Sequence, residues 1–161
     1  MFGALMYVTK LFMEILPNIH LLGMFIMVLT IVFRAKALIP IYLFVFATGF
    51  YNGFSMWWVP YLYIWAVLWG VTMLLPKKMP NKAKAIIYPI VCCLHGLLYG
   101  VLYAPAQALL VGYNFQQMLA WIAAGFTFDI LHGIGNLCAG ILILPLSNVL
   151  IMLVKKTNKS S

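Results

Sequence analysis

The sequence predicts an all-α integral membrane protein, a six-helix transmembrane bundle with the N and C termini in the cytoplasm. Of the 161 residues, 66% are apolar and only 7% are charged, which is too little polar surface to coat a soluble domain. The apolar residues form six runs, and basic residues follow every second run. Only helices or closed barrels satisfy the backbone in lipid, and alternation with period 2 is absent, so the runs are predicted to be helices.

The predicted spans form a single transmembrane domain over residues 1–161, at about 2–16, 19–33, 37–53, 56–75, 85–104 and 126–154. The first two spans are short, because about 20 residues are needed to cross the hydrocarbon. The fifth span contains His95, which we interpret as an interhelical hydrogen bonder. The polar stretch between the fifth and sixth spans, with Gln107 and Asn114, is predicted to be a loop with a short interfacial helix.

The basic residues set the orientation of the predicted spans. All of them except Lys10 lie in clusters after the second, fourth and sixth spans, and the other connections contain no Lys or Arg. This distribution follows the positive-inside rule, and it accounts for the net charge of +8 without a nucleic-acid partner. The bilayer is therefore the expected partner of the basic residues. The clusters comprise Arg34, Lys36, Lys77, Lys78, Lys82, Lys84, Lys155, Lys156 and Lys159.

A polar face in the last span is the strongest candidate for a binding site. Asp129, His132 and Asn136 are spaced i, i+3 and i+7, which places them on one helix face. Ionisable groups at membrane depth are costly and indicate function. On a continuous helix, Asp129 lies about 39 Å from Lys155, near the outer surface. The stripe therefore predicts a ligand cavity that opens to the outside.

Other polar and aromatic residues are predicted to reach the same outer mouth. Glu14 pairs with Lys10 four residues before it, on one face of the first helix. The flat faces of tryptophans near the outer surface are suited to cover a planar ligand. The remaining predicted substrate-binding residues are Asn18, His20, Trp58 and Trp121.

Three alternatives to a ligand-binding role remain open. The Asp129 and His132 pair also suits a structural tie between helices, or an acid–base dyad in a small intramembrane enzyme. A self-contained secondary carrier is the third alternative. No phosphate-binding loop is present, so ATP hydrolysis would need partner subunits. We predict no enzymatic activity of this chain, no cofactor and no metal.

Small residues in the last span indicate a close helix approach. Gly135 and Ala139 form a small-xxx-small pair beside Gly140, a pattern that serves either internal packing or docking to another membrane subunit. We take these three residues as candidates for partner docking. Gly96 and Gly100 form a similar pair in the fifth span.

Three stretches of the chain resemble a known family. They are LPNIH at residues 16–20, WVPYLYIW at residues 58–65 and FDILHGIGN at residues 128–136. With the six short spans, they resemble the S components, the substrate-binding subunits, of energy-coupling factor (ECF) transporters. These proteins import vitamins in prokaryotes as part of ABC transporters.

The resemblance implies a binding subunit that captures a small vitamin or cofactor precursor from outside a prokaryotic plasma membrane. The ligand would lie in an outward-facing cavity of the later helices, with the first outer loop as a lid. A transmembrane coupling subunit with two ATPase subunits would drive transport, and the S component would topple to release its cargo. The first helix lacks the Ala-xxx-Ala docking motif of the family.

Overall fold

The computed structural model describes residues 1–15 and 19–157, and within them the protein is helical with no strand. Short 3-10 turns at Arg34–Ala37 and Met56–Trp58 link some of the helices. The helices are α1 (Phe2–Met13), α2 (Leu22–Phe33), α3 (Leu38–Asn52), α4 (Tyr61–Leu74), α5 (Asn81–Leu97), α6 (Tyr99–Val111), α7 (Phe115–Gly140) and α8 (Ile143–Thr157).

The helical segments have the length and surface of a multi-pass membrane protein. Four segments in the described chain are long and apolar enough to cross a bilayer: Leu22–Asn52, Met56–Leu74, Asn81–Val111 and Phe115–Gly140. Large apolar side chains also cover the exterior, such as Phe50, Leu109 and Phe126. A soluble monomer rarely exposes so much contiguous apolar surface. The predicted all-helical membrane class agrees with these features.

The chain reverses between α2 and α3 at Arg34, where the sequence predicted the end of a span. Arg34 has a φ of 55°, which is unusual for a residue other than glycine. Two hydrogen bonds hold this turn: Nε1 of Trp69 donates to the Arg34 carbonyl at 3.1 Å, and Nη2 of Arg34 donates to the Met73 carbonyl at 2.9 Å. The turn is thereby fastened to the last part of α4. We call this end of the bundle, which carries Arg34, Lys77 and Lys84, the basic end.

The predicted loop between the fifth and sixth spans is wrong. Helix α6 continues to Val111, and α7 begins at Phe115, so only a tight turn connects them. Gly112 ends α6 in the left-handed region with a φ of 80°. Asn114 then begins α7 with a capping box, in which its side chain and that of Gln117 bond each other's backbone N–H at 2.9 and 2.8 Å. Of the polar residues predicted to form a loop, Asn114 starts α7 and Gln107 lies within α6.

The predicted span at 126–154 is two helices. A turn at Ile141 and Leu142 separates α7 from α8, so no continuous helix joins Asp129 to Lys155. The predicted depth of Asp129 assumed one uninterrupted helix, and its place near the outer surface stays a prediction. Asp129 lies about 21 Å along the 26-residue helix α7, near its middle.

The buried core centres on α2 and the closest helix pair is α5 with α7. Met27, Phe44 and Trp65 are fully or almost fully buried in this core. Helices α5 and α7 approach at glycines: a Cβ on Gly96 would lie 2.9 Å from the His132 carbonyl oxygen. The close approach fixes the face of α7 that carries the predicted polar stripe.

Candidate functional site

A cavity of about 330 Å³ lies between α6 and the antiparallel α7. Its volume is at the small end of the range of small-molecule sites, about 300–1,000 Å³. Side chains at four-residue intervals face it from both helices, since residues four apart share a helix face. The lining comprises Tyr99, Gly100, Tyr103 and Gln107 of α6 and Trp121, Gly125, Phe128, Asp129 and His132 of α7.

Asp129 is held by the beginning of α6. Its Oδ1 atom accepts a hydrogen bond of 3.0 Å from the backbone N–H of Gly100. That N–H lies in the first turn of α6, where amides lack a partner within the helix and the helix dipole favours an acidic group. The second oxygen, Oδ2, is buried and has no hydrogen-bond partner in the described structure. Asp129 therefore lines the cavity while one of its buried carboxylate oxygens stays unpaired.

His132 lies one turn further along α7 and also keeps an unpaired atom. Only 3% of its surface is exposed, and Nε2 has no hydrogen-bond partner among the described residues. Its ring contacts Tyr99 with a centroid distance of 4.9 Å. The His20 ring, from the segment before α2, lies 4.6 Å from it. His20 does not line the cavity itself, but its ring packs against His132.

Aromatic rings and a third histidine form the floor behind the cavity. Trp65 lies 5.8 Å from Tyr99 and 6.2 Å from His20 between ring centroids. His95 lies 5.9 Å from Trp65, and its Nε2 is 3.1 Å from the Ile64 carbonyl oxygen. The interpretation of His95 as an interhelical hydrogen bonder is confirmed.

A stacked aromatic pair lines the part of the cavity away from the basic end. The Tyr103 and Trp121 rings are 5.6 Å apart and nearly parallel, at 16°. The Tyr103 hydroxyl donates to the Trp57 carbonyl at 3.0 Å, next to the start of α4. This bond fixes Tyr103, and Tyr103 in turn supports the flat face of Trp121.

Removing the Trp121 ring is expected to weaken binding of a planar ligand. Trp121→Ala loses an aromatic contact and should raise Kd about tenfold. Trp121→Phe keeps an aromatic ring, so its loss of binding free energy should be less than half of that of Trp121→Ala. Calorimetric titration of both variants checks the prediction, and equal affinities for wild type and Trp121→Ala would contradict it.

Several residues predicted for the site lie elsewhere. Trp58 donates from Nε1 to the Val45 carbonyl at 2.8 Å and packs on Phe54 with ring centroids 4.9 Å apart, so it ties α3 to the start of α4. Glu14 is exposed and forms the predicted ion pair with Lys10 at 2.8 Å. Neither residue lines the cavity. Asn18 lies outside the described residues.

Asn136 contacts α5 instead of the cavity. Its Nδ2 donates to the Cys92 carbonyl at 3.2 Å, and the side chain is 1% exposed. A Cβ on either Gly23 or Gly96 would meet this side chain within 3.3 Å, so α2, α5 and α7 converge at Asn136. The described contacts of Asn136 are therefore structural.

Truncating Asn136 is expected to destabilise the protein and to leave the site intact. Asn136→Ala should lower the free energy of unfolding by about 1 kcal/mol and the melting temperature by about 3 °C, because one interhelical hydrogen bond is lost. Asn148→Ala, at an exposed position of α8, is the matched control and should change neither. Thermal unfolding in detergent measures both. A large loss of ligand affinity in Asn136→Ala at unchanged stability would contradict this assignment.

The small residues proposed for partner docking pack inside the chain. A Cβ on Gly140 would lie 2.6 Å from Cα of Pro89, and one on Gly135 would lie 3.3 Å from the Ile19 side chain. Ala139 is 8% exposed. These contacts favour internal packing of the three residues over docking to another subunit.

The α6 side of the cavity was not predicted from the sequence. Tyr99, Tyr103 and Gln107 line it, but the predicted fifth span stopped at residue 104 and Gln107 was assigned to a loop. The signal was present, because these residues continue the four-residue spacing of His95.

Neither a metal centre nor a known relative identifies the site. Within residues 1–15 and 19–157, no three His, Cys, Asp or Glu side chains lie close enough together to bind a metal ion. No protein-family model matches the chain, and no curated protein or solved structure shows significant similarity to it.

Proposed function

We propose that the protein is a membrane-embedded binding subunit that holds a small planar molecule between α6 and α7. The observation that carries this proposal is that two residues lining one cavity each keep a buried polar atom without a hydrogen-bond partner. These atoms are Oδ2 of Asp129 and Nε2 of His132. Buried polar atoms are normally hydrogen-bonded, and an unsatisfied one is costly. A bound ligand that supplies both partners would offset this cost.

The lining favours a particular ligand chemistry. It contains one carboxylate and no Lys or Arg, so it disfavours a strongly anionic molecule. Asp129 accepts hydrogen bonds, which favours a ligand with N–H or O–H donors or a positive charge. The Trp121 face favours a flat ring. A planar, neutral or cationic, donor-bearing metabolite such as a vitamin or cofactor precursor fits these properties.

Identification of a co-purified ligand tests the binding proposal. The protein is purified in mild detergent and denatured, and the released small molecules are identified by mass spectrometry. We expect one planar, donor-bearing molecule in near-stoichiometric amount. Release of only lipids and detergent, combined with turnover of a lipid substrate, would contradict the proposal and favour the intramembrane enzyme.

The coupling partners follow from the resemblance to ECF S components. We propose six spans with both termini in the cytoplasm of a prokaryotic cell, with the segment around Pro17 to His20 as the lid. A transmembrane coupling subunit and two ATPase subunits would then drive import. An affinity-tagged chain expressed in its native host should co-purify with these subunits. Ligand transport into liposomes by the chain alone would contradict this and favour a secondary carrier.

A further inference from the structure

A second cavity, of about 340 Å³, lies at the basic end of the bundle, away from the α6–α7 site. It is formed where α2 and α4 end, where α5 begins and where α8 passes them. Arg34, Lys77 and Lys84 line it together with apolar side chains and the ring of Tyr88. Three cations from separate parts of the chain therefore converge on one recess.

No acidic residue of the protein neutralises these cations. The chain contains two acids in total. Glu14 pairs with Lys10 at 2.8 Å, and Asp129 accepts from Gly100 beside the other cavity. Within the described residues, no acidic side chain pairs with these three cations, so they are available to an anion from outside the chain.

The geometry of Arg34 suits a phosphate group. Its turn is fixed by the bond from Trp69, and Nη2 donates to the Met73 carbonyl at 2.9 Å, so the guanidinium is anchored. A guanidinium has five N–H donors, and those left over match phosphate oxygens. Lys84 is half-buried and Lys77 is exposed, so one cation is at the wall of the recess and one at its edge.

The other walls of the recess suit a lipid. Ile31, Leu75 and Ile151 line it, and they offer an apolar surface beside the cations. The positive-inside rule predicts that the basic end lies at the cytoplasmic side of the membrane. Basic pockets between helices on that side bind the anionic headgroups of the adjoining leaflet. We infer that the Arg34, Lys77 and Lys84 recess binds a phosphate group, and that its source is the headgroup of an anionic phospholipid.

Native mass spectrometry of the intact protein with dioctanoyl phosphatidylglycerol tests this inference. We expect one retained lipid, with clear preference over dioctanoyl phosphatidylcholine. Lys77→Gln/Lys84→Gln should weaken its binding about 25-fold, at about fivefold for each lysine. Lys78→Gln/Lys82→Gln is the matched control with the same change of charge at positions that do not line the recess, and it should weaken binding less than about threefold.

Three outcomes would overturn the inference. Equal losses of lipid affinity in the two double variants would show that long-range attraction, and not the recess, binds the lipid. Equal retention of phosphatidylglycerol and phosphatidylcholine would show that the headgroup charge is not recognised. Stoichiometric binding of inorganic phosphate that depends on Lys77 and Lys84, without binding of the lipid, would assign the recess to a soluble phosphate compound. Unchanged melting temperatures in both variants confirm that the comparison concerns folded protein.

Discussion

Asp129→Asn is expected to weaken ligand binding about 100-fold while the protein stays folded. Removal of one partner from a buried, charge-assisted hydrogen bond typically costs 2–5 kcal/mol or more. The asparagine carbonyl still accepts from the Gly100 N–H, so the contact that holds α6 is kept. At the position of Oδ2, however, an NH₂ donor replaces an acceptor. Calorimetric titration with the molecule identified by mass spectrometry measures the loss.

Two controls separate binding from folding in this experiment. Asp129→Ala loses the bond to Gly100 as well, so its melting temperature should fall, whereas that of Asp129→Asn should stay close to wild type. Wild-type affinity in a folded Asp129→Asn variant would show that the carboxylate does not bind the ligand. The site between α6 and α7 would then be wrongly assigned.

Gly100→Ala is expected to disrupt the same site from the opposite helix. A Cβ at position 100 would overlap Oδ2 of Asp129, so the carboxylate must move away from its place at the cavity. The loss of ligand affinity should approach that of Asp129→Asn, and the melting temperature should also fall. Thermal unfolding and titration of the same preparation measure the two effects.

Gly125→Ala is the matched control for Gly100→Ala. Gly125 lines the same cavity from α7, yet a Cβ there would meet nothing within 4 Å. Alanine in a helix interior is up to about 1 kcal/mol more favourable than glycine, so this variant should be at least as stable as wild type. If both alanine variants lose ligand affinity equally, the loss is caused by the reduced cavity volume and not by displacement of Asp129.

The class of the fold could be predicted from composition and charge, but the helix ends near the site could not. Apolar content alone requires a membrane environment, and Arg34 marks the end of α2 as predicted. The amphipathic stretch with Gln107 and Asn114 predicted a loop with a short interfacial helix. In the structure Asn114 is an N-cap, and Gln107 belongs to a helix that lines a cavity. Polarity alone does not distinguish these roles.

The candidate site was predicted on one helix and missed on the other. The spacing of Asp129 and His132 places both on one face, and Trp121 lies on the same face two turns earlier. Trp58 and Glu14 were assigned by expected depth, which ignores the direction around the helix axis. Trp58 instead bonds to Val45, which only tertiary structure reveals.

The most direct measurement of the central claim, an outward-open ligand site between α6 and α7, is site-directed labelling of Gly125→Cys. Cys92, Cys93 and Cys138 are first replaced by serine, and intact cells are treated with a membrane-impermeant maleimide. Gly70→Cys, on α4 and outside the cavity lining, is the control and should label slowly. We expect rapid labelling of Gly125→Cys from outside, and we expect the ligand identified by mass spectrometry to block it. Labelling only in inverted vesicles, or labelling that the ligand leaves unchanged, would contradict it.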